Sequence, residues 1–328
     1  MPGEKDNDRW NRYIISKNDQ GRRLDRIIRK YLPSVPLSQI YKAFRKKKIR
    51  IKDNPKPLPN TRPELGDELY IHTSLDSGMN NRDSGFQKQQ DSALSEKCKN
   101  HILHECKHLF FLNKPRGMVV HGKDSLNDMV LAYFVDKNIP SLSFKPGPLH
   151  RLDRNTSGVI TFSKTLHGAQ VFSRLLKERK ISKHYLAVIE GELEGNMVFT
   201  ANLSRNSETK TTVIADTDSG KTALTNVVPL FQNKSYCFCA VSLHTGRTHQ
   251  IRAHLAQHGT PLAGDAKYGS KKKTSYFLHA YCINIPSTDL LNCSGQAYYA
   301  PFSIERLASF FSSSDIKTIQ KEIHNFLE

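Results

Sequence analysis

Three polar segments interrupt apolar stretches in the second half of the chain, and the first of them, 150–158, could support nucleophilic or acid–base chemistry. It places a single carboxylate, Asp153, between Arg151 and Arg154. Nearby positive charge favours the ionised form of a carboxylate, and an ionised aspartate can serve as a nucleophile or as a base. The same composition is typical of an ion-paired turn, so the residue types alone leave both interpretations open.

The second segment, 183–191, alternates as a strand does, with Tyr185, Ala187 and Ile189 on one face. An aromatic ring on such a face usually belongs to the core. It also offers a plane on which an extruded nucleic-acid base can stack. Tyr185 therefore has a structural and a functional interpretation.

The third segment, 245–255, predicts a helix that begins near Thr248, a plausible N-cap, with His249 and Arg252 on one helical face. Arg252 would then lie in the first turn, where its guanidinium can reach a neighbouring site. His249 and His254 also suggest a metal site, but no third ligand is suitably spaced and the neighbouring residues are cationic. We therefore predict no metal there.

The six cysteines, in a chain of 328 residues, are too sparse for a disulfide scaffold, so we expect reduced thiols. Five possible metal ligands do cluster before an apolar run, namely Cys98, His101, His104, Cys106 and His108. Their spacing matches none of the usual zinc patterns, and the apolar run that follows is typical of a strand. The sequence again predicts no metal site.

Length and charge limit the classes of function. A chain of 328 residues predicts two domains, and no stretch approaches the roughly 20 consecutive apolar residues of a membrane helix. The opening 20 residues carry acidic side chains and no apolar run, which argues against a signal or transit peptide and predicts a cytoplasmic location. A formal net charge of +18 indicates a polyanionic partner, and nucleic acid is favoured over an anionic membrane because no long basic amphipathic helix stands out.

Half of the positive charge lies in one short region. Between residues 21 and 71, 14 Lys or Arg stand against five Asp or Glu, a surplus of nine out of the total of 18. Apolar residues spaced i, i+3, i+4 and i+7, from Leu24 to Tyr31 and from Leu37 to Phe44, predict two short amphipathic helices, followed by a strand at 49–51. An ordinary solvated face mixes both signs of charge, so we predict phosphate contacts here. The cations assigned to these contacts are Arg22, Arg23, Arg26, Lys42, Arg45, Lys46 and Lys47.

We expect four parts: an N-terminal extension (1–20), a small basic domain (21–73), a structureless polar linker (74–100) and a larger domain (101–328). In the larger domain, strands outnumber helices and do not alternate regularly with them. This pattern favours an α+β fold with a mostly antiparallel mixed sheet over a doubly wound fold. A Gly-Thr-Pro stop signal at 259–261 ends the helix that begins near Thr248. The other elements predicted in this domain are a helix near 166–179 and strands at 109–113, 158–162, 185–189, 226–231, 237–243 and 281–285.

The stretch from Gly21-Arg-Arg-Leu-Asp25 through Gly66-Asp-Glu68 resembles the S4 RNA-binding domain. Nearly the whole chain from residue 21 resembles the RluA-type pseudouridine synthases, because four motifs occur in the family order. These motifs are Asn113-Lys-Pro-Arg-Gly117, His150-Arg-Leu-Asp-Arg-Asn-Thr-Ser-Gly158, Lys183-His-Tyr185 and Gly246-Arg-Thr-His-Gln-Ile-Arg252. The S4-like stretch together with Val119-Val-His-Gly122 makes the sequence most similar to the RluC branch, which modifies large-subunit ribosomal RNA.

The resemblance implies roles for individual residues. Asp153 matches the catalytic aspartate, Tyr185 the tyrosine that packs on the target base, and Arg252 the arginine that pairs with the aspartate. Ile251 is expected to line the pocket, and Arg151 matches an arginine that can fill the gap left by the flipped nucleotide.

Two neighbours of Arg252 in the same motif, His249 and Gln250, are predicted to contact the substrate. His279-Ala280 also fits a family pattern, with a structural role.

The implied reaction breaks the glycosidic bond of uridine, turns the base over and rejoins its C5 atom to the sugar, so neither a cofactor nor a metal is expected. The predicted partner is RNA, with no membrane, no obligatory protein partner and a monomeric state. Two alternatives remain. One is a synthase that acts on transfer RNA, and the other is a non-catalytic RNA-binding ribosome-assembly factor, against which the intact Asp153, Tyr185 and Arg252 argue.

Overall fold

The computed structural model describes residues 9–75, 85–135, 137, 141–206, 208–209, 211–215, 220–288, 291 and 293–327, and of 85–90 and 327 only the backbone. Residues 1–8 of the predicted N-terminal extension and 76–84 of the predicted linker lie outside this description. The chain divides into two compact units. Unit 1 takes in residues up to 100 together with 128–147 and 164–167, and unit 2 takes in 101–127, 148–163 and 168–328.

The helices and strands of the described residues follow each other along the chain. The α-helices are α1 (Leu24–Tyr31), α2 (Leu37–Arg45), α3 (Gly85–Lys99), α4 (Leu126–Val135), α5 (Leu166–Lys177), α6 (Gln250–Gln257) and α7 (Ser313–Leu327). The strands are β1 (Trp10–Ile14), β2 (Ile49–Ile51), β3 (Glu68–His72), β4 (Ile102–Glu105), β5 (Leu109–Lys114), β6 (Gly147–Pro148), β7 (Ser157–Ser163), β8 (Ser182–Glu190), β9 (Met197–Arg205), β10 (Thr212–Ile214), β11 (Lys221–Gln232), β12 (Tyr236–Leu243), β13 (Leu278–Ile285) and β14 (Gln296–Tyr299). Short 3-10 turns occupy Thr73–Leu75, Ala266–Tyr268 and Ile304–Ser309.

In unit 1, the two predicted amphipathic helices and the strand at 49–51 are confirmed. Leu24 and Ile28 of α1 pack with Ile40 and Phe44 of α2 in one apolar cluster, which the antiparallel sheet β1-β3-β2 completes. Spacing at i, i+3 and i+4 places these side chains on one face of each helix, so the opposite faces carry the charges.

Unit 1 also contains a fully buried carboxylate, Asp19, that joins two distant parts of the chain. Its oxygens accept hydrogen bonds from the hydroxyls of Ser16 (2.7 Å), Ser141 (2.8 Å) and Ser143 (2.6 Å) and from the backbone N–H groups of Leu142 and Ser143. Burial opposes the ionised form, but these donors outweigh it and lower the pKa of Asp19. The segment 141–143 is therefore anchored beside residues 16–19.

The predicted linker is not structureless throughout, because α3 spans Gly85–Lys99 within it. Asp91, Leu94, Ser95 and Cys98 are less exposed than the residues between them, and their spacing is that of one helical face. The polar composition of the segment predicted a structureless linker. The helix is indicated instead by the helical spacing of its few less exposed residues, which composition does not record.

Unit 2 contains one large sheet in the order β10-β9-β11-β12-β8-β13-β7-β5-β4, with β14 beside β13. The pair β13 and β7 is parallel, and the other neighbours along this order are antiparallel. Every residue of β7 is buried, as expected of a central strand, whereas β9 near the edge alternates in exposure. The predicted α+β fold with a mostly antiparallel mixed sheet is confirmed, as are the six predicted strands and the helix near 166–179.

The parallel pairing of β7 and β13 explains a glycine in the first polar motif. Gly158 has φ +113°, and a Cβ atom there would overlap the carbonyl oxygen of Ala280. Beside it, buried His279 bonds the hydroxyl of Ser157 at 2.9 Å through Nδ1 and the carbonyl of Ala300 at 2.9 Å through Nε2. These contacts give His279-Ala280 a structural task at the centre of the sheet.

The expectation of reduced thiols is wrong for one pair, because Cys106 and Cys293 form a disulfide within unit 2. The two residues are 187 positions apart, so sequence spacing could not reveal the pair. The other described cysteines, Cys98, Cys237, Cys239 and Cys282, are buried and lie outside this disulfide. Among the described residues, no three His, Cys, Asp or Glu side chains are grouped as ligands for a metal ion. None of the described helices is both long and apolar enough to cross a bilayer.

Candidate active site

The aspartate loop, residues 150–156, is braced by a fully buried lysine at the end of β5. The ammonium of Lys114 donates to the backbone carbonyls of Pro115 (2.9 Å), Met118 (2.7 Å) and Arg154 (3.1 Å). Burial lowers the pKa of Lys114 to about 8, and the charge of Asp153 opposes this shift. Because one ammonium satisfies three carbonyls, it ties the turn that follows β5 to the aspartate loop.

The start of α6 is set by an unusual backbone and not by a capping side chain. His249 has φ 50°, in the left-handed region that non-glycine residues seldom adopt, and no side chain caps the helix. The predicted N-cap at Thr248 is therefore wrong. The periodicity predicted that His249 and Arg252 share a helical face. This prediction is wrong, because His249 precedes the helix.

Gln250 holds this turn against β11. Its amide nitrogen donates to the Leu224 carbonyl (3.0 Å) and the Thr225 hydroxyl (2.8 Å), and its amide oxygen accepts from the Thr245 hydroxyl (2.7 Å) and the Arg247 N–H (3.0 Å). The side-chain amide is thus engaged within the protein. These bonds position the turn, and the contact of Gln250 with the substrate stays a prediction.

Arg252 lies in the first turn of α6, as predicted, and connects two carboxylates. Its Nε and Nη2 atoms donate to the two oxygens of Asp265, at 2.6 and 2.8 Å, and its Nη1 lies 3.4 Å from Oδ2 of Asp153. Asp265 is only 2% exposed and Arg252 6%. A paired, parallel contact of this kind fixes the plane of a guanidinium as well as its position. Asp265 therefore aims the remaining nitrogen of Arg252 at Asp153.

The guanidinium of Arg252 is kept charged by its surroundings. Burial opposes its charge, but the hydrogen bonds to Asp265 and the charges of Tyr276, Asp265 and Asp153 outweigh burial and raise the pKa of Arg252. The rings of Tyr268 and Tyr276 lie 4.6 and 5.0 Å from its central carbon. Such contacts stabilise a cation that is withdrawn from water.

His249 approaches the same carboxylate oxygen of Asp153 as Arg252 does. Its Nε2 is 3.7 Å from Oδ2 of Asp153, and its Nδ1 is 2.9 Å from the hydroxyl of Tyr268. Tyr268 in turn accepts a hydrogen bond from the backbone N–H of Thr212 at 2.8 Å. Burial lowers the pKa of His249 although Asp153 acts in the opposite direction, so the imidazole is neutral near pH 7.

Asp153 and Arg151 line three adjoining cavities of unit 2. The cavity that we call the tyrosine cavity, about 500 Å³, contains Tyr185, and the cavity that we call the arginine cavity, about 750 Å³, contains Arg116. A smaller space of about 60 Å³ includes Tyr185 and Ile251 in its lining. The structure thus brings Asp153, Tyr185, Arg252, Ile251, Arg151 and His249 together around connected space.

Tyr185 is 7% exposed at the centre of the sheet. Burial, followed by the charge of Asp153, raises the pKa of its hydroxyl, so the phenol keeps its proton. A neutral ring at the wall of a cavity can pack on a planar base.

The predicted phosphate-binding cations of unit 1 divide into two groups. The exposed ones are Arg26, Lys42, Arg45, Lys46 and Lys47. Arg22 instead donates to the hydroxyl of Ser143 (2.9 Å), and Arg23 pairs with Asp25 (2.9 Å). Arg22 and Arg23 thus have contacts within the protein, and their role in binding phosphate stays a prediction.

Four residues of the site were not predicted from the sequence, namely Asp265, Lys114, Tyr268 and Tyr276. The sequence shows only that Asp265 follows Gly264. In the structure this glycine has φ +92°, and a Cβ there would crowd the backbone of Thr274. A carboxylate beside a glycine under such constraint is held in one place. Nothing in the sequence near Lys114 indicates that its ammonium would be buried.

Comparison with known proteins agrees with this arrangement. The family model described as RNA pseudouridylate synthase matches residues 108–257. The ribosomal large subunit pseudouridine synthase C of Buchnera aphidicola subsp. Schizaphis graminum is 31% identical over 287 residues, which cover 82% of this chain and 87% of the relative. The chain belongs to the RNA pseudouridylate synthase family. As a member, it is an isomerase that converts uridine in RNA to pseudouridine.

A second relative and a solved structure extend the comparison. The ribosomal large subunit pseudouridine synthase D of Nitrosomonas europaea is 32% identical over 272 residues, covering 81% of this chain and 74% of the relative. The human RNA pseudouridylate synthase domain containing 4 has a TM-score of 0.56 at 20% identity, covering 71% of this chain and 97% of that one. At that identity the match shows a shared fold.

Proposed function

We propose that the chain isomerises specific uridines of large-subunit ribosomal RNA. The observation that carries the chemistry is the guanidinium of Arg252, which Asp265 holds 3.4 Å from Asp153 beside the cavity that Tyr185 lines. The names of the relatives, synthases C and D of the ribosomal large subunit, support the class of RNA. The surplus of positive charge suits a large polyanionic substrate.

In this proposal, the target uridine leaves its stack and its uracil enters the tyrosine cavity. Tyr185 packs on the base, and Ile251, 4% exposed, adds an apolar wall. Arg151, which is exposed and lines all three cavities, fills the gap left in the RNA. His249 contacts the nucleotide on the side of Asp153 that faces Tyr268.

Asp153 then acts on the ribose or the base while Arg252 compensates its charge. The bond from C1′ to N1 breaks, the base turns, and a bond from C1′ to C5 forms. The proton on C5 leaves and N1 gains one, so the product is an isomer and no redox partner or cofactor enters the balance.

The basic part of unit 1 serves as an S4-type RNA-binding module. Support comes from α1 and α2, which pack on a small antiparallel sheet while Arg26, Lys42 and Arg45 remain exposed. Phosphate contacts from such cations add affinity without selecting sequence. A ribosomal RNA substrate would also accord with the cytoplasmic location and monomeric action that the sequence predicts.

The test is to map pseudouridines in total RNA from a strain that lacks the gene and carries either the wild-type chain, Asp153→Asn or Asp124→Asn. Asp124 is exposed in unit 2 and lines none of the three cavities, so its variant is a matched control. We expect large-subunit ribosomal RNA to lose particular pseudouridines, which the wild type and Asp124→Asn restore and Asp153→Asn does not.

Other outcomes would contradict specific parts of the proposal. Loss of pseudouridine from transfer RNA alone would make the substrate class wrong. Restoration by Asp153→Asn would make the assigned aspartate wrong. If RNA affinity in vitro is nearly the same for Asp153→Asn and wild type while only the wild type forms pseudouridine, a purely RNA-binding role is excluded.

A further inference from the structure

Asp153 lies where two sizeable cavities of unit 2 meet, but a single target base can occupy only one of them. From this arrangement we infer that the arginine cavity is a second nucleotide subsite, which holds a nucleotide next to the target uridine and contacts its phosphate. The inference rests on the proposed action on RNA and adds a site for the flanking strand.

The lining of the two cavities decides which one takes the target. Tyr185 and Lys183 line the tyrosine cavity, and neither lines the arginine cavity. Arg252 lines the arginine cavity and the small space but not the tyrosine cavity. A uracil stacked on Tyr185 with its ribose near Asp153 therefore leaves the arginine cavity open to the next part of the strand.

The volume and wall of the arginine cavity suit a nucleotide. At about 750 Å³ it falls within the range of roughly 300 to 1,000 Å³ that is usual for ligand pockets. Val119 and Val120 form an apolar part of its wall, and Thr274 and Ser275 add hydroxyl groups. An apolar surface for a base beside polar and charged groups for a phosphate is the combination that single-stranded RNA requires.

The charge of the arginine cavity indicates an anionic ligand. Arg116, Arg151 and Arg154 are exposed and line it, and within the described ranges none of the three forms an ion pair with a carboxylate. The two carboxylates in the lining, Asp153 and Asp265, are both bound to Arg252. Nε of Arg154 donates to the carbonyl of Gly117 at 3.0 Å, and Arg151 is assigned above to the gap in the RNA. The guanidinium of Arg116 is thus left for a phosphate, whose oxygens match its planar donors.

The exposed chain beyond the cavity continues the positive charge. Lys267 lines the cavity, and Lys271, Lys272 and Lys273 are exposed immediately before Thr274 of its wall. A run of cations leading away from a nucleotide-sized cavity is the pattern by which proteins follow an RNA backbone. This surface belongs to unit 2, so it can guide the strand without the basic helices of unit 1.

The experiment uses the full chain, a fragment of large-subunit ribosomal RNA that contains a mapped target, and single-turnover kinetics at several salt concentrations. We expect Arg116→Gln to raise the RNA concentration at half-maximal rate about tenfold, with the maximal rate within about twofold, because it removes a binding contact and leaves the reacting groups in place. The slope of log affinity against log salt should fall by about 0.7, the value for one phosphate contact on a single strand. Lys317→Gln, an exposed lysine of α7 that lines none of the cavities, is the matched control.

A modification of the RNA tests the same contact without altering the protein. Replacing the phosphates on either side of the target one at a time by neutral methylphosphonates should weaken binding to wild type at one position. At that position it should add little to the defect of Arg116→Gln, because both changes remove one interaction.

The result distinguishes this inference from the proposed function. If wild type forms no pseudouridine in the fragment, the proposed substrate is wrong. If wild type is active and Arg116→Gln keeps its affinity and salt slope, or if the methylphosphonate and Arg116→Gln effects multiply at every position, the second subsite is wrong and the substrate assignment stands.

Discussion

The basic helices of unit 1 and the catalytic pair of unit 2 use positive charge in opposite ways. In unit 1, Arg26, Lys42 and Arg45 are exposed on helices whose inner faces close an apolar core. In unit 2, Arg252 is 6% exposed and bound to two carboxylates. An exposed cation attracts phosphate from a distance and is screened by salt, whereas a buried, paired guanidinium contributes a fixed direction. We therefore expect unit 1 to supply affinity for RNA and the buried pair of unit 2 to supply geometry.

The largest expected effect comes from removing the charge that directs Arg252. We expect Asp265→Asn to lower the maximal rate of pseudouridine formation about 10²- to 10³-fold with KM within about threefold, since a catalytic group displaced by about 1 Å loses roughly that much. Single-turnover kinetics measure both constants.

A double variant sharpens this prediction. If Asp265 acts through Arg252, adding Arg252→Gln to Asp265→Asn should cost little more than either single change. Fully multiplicative losses would show that Asp265 has a separate task.

The next effect concerns stability in unit 2. We expect Lys114→Met to lower the free energy of unfolding by about 3 kcal/mol, because the carbonyls of Pro115, Met118 and Arg154 lose their shared donor at a fully buried position. Lys107→Met is the matched control, since Lys107 is exposed just before β5. Chemical denaturation followed by circular dichroism measures both.

A further prediction compares the stability of wild type and Lys114→Met at different pH values. Burial lowers the pKa of Lys114 to about 8 from its ordinary 10.5, so between these values the unfolded chain binds more protons than the folded one. Stability therefore rises with pH in that window, and the advantage of wild type over Lys114→Met should be larger at pH 9.5 than at pH 7. If the difference in free energy of unfolding between wild type and Lys114→Met is the same or smaller at pH 9.5, the assigned burial of the Lys114 charge is wrong.

The smallest effect belongs to the exposed cations of unit 1. Changing Lys42, Arg45 and Lys46 together to Gln should weaken RNA binding about tenfold and lower the salt slope by about 2 to 3, while the rate at saturation stays unchanged. The matched control is Arg12→Gln, whose charge is already paired with Glu68 at 2.8 Å. A fall in the saturated rate would mean that unit 1 also shapes the site.

Local patterns predicted most of the secondary structure because periodicity depends only on neighbouring residues. The spacing from Leu24 and from Leu37 predicted α1 and α2 correctly, yet Leu37 and Tyr41 are 44% and 37% exposed. A period shows which side chains share a face, and the rest of the fold decides how much of that face is covered. Composition did not predict α3, because this helix has few apolar residues on its less exposed face.

The sequence predicted which residues form the site better than it predicted the contacts between them. Asp153, Tyr185, Ile251 and Arg252 were named from motifs and lie together around the cavities. The hydrogen bonds of Gln250 were not predicted, because they reach β11, 25 residues earlier in the chain.

By itself, the sequence determined the chemistry available: an aspartate, a tyrosine and an arginine in motifs whose order identifies the family. The family resemblance paired Asp153 with Arg252, 99 residues away, and only the tertiary structure decided that Asp265 holds the guanidinium of Arg252 in that pair. Successive side chains of an irregular loop point in different directions, so adjacency in sequence does not bring charged groups together. An ion pair depends on distance in space, and here that distance is set by a helix start, a buried lysine and a second aspartate.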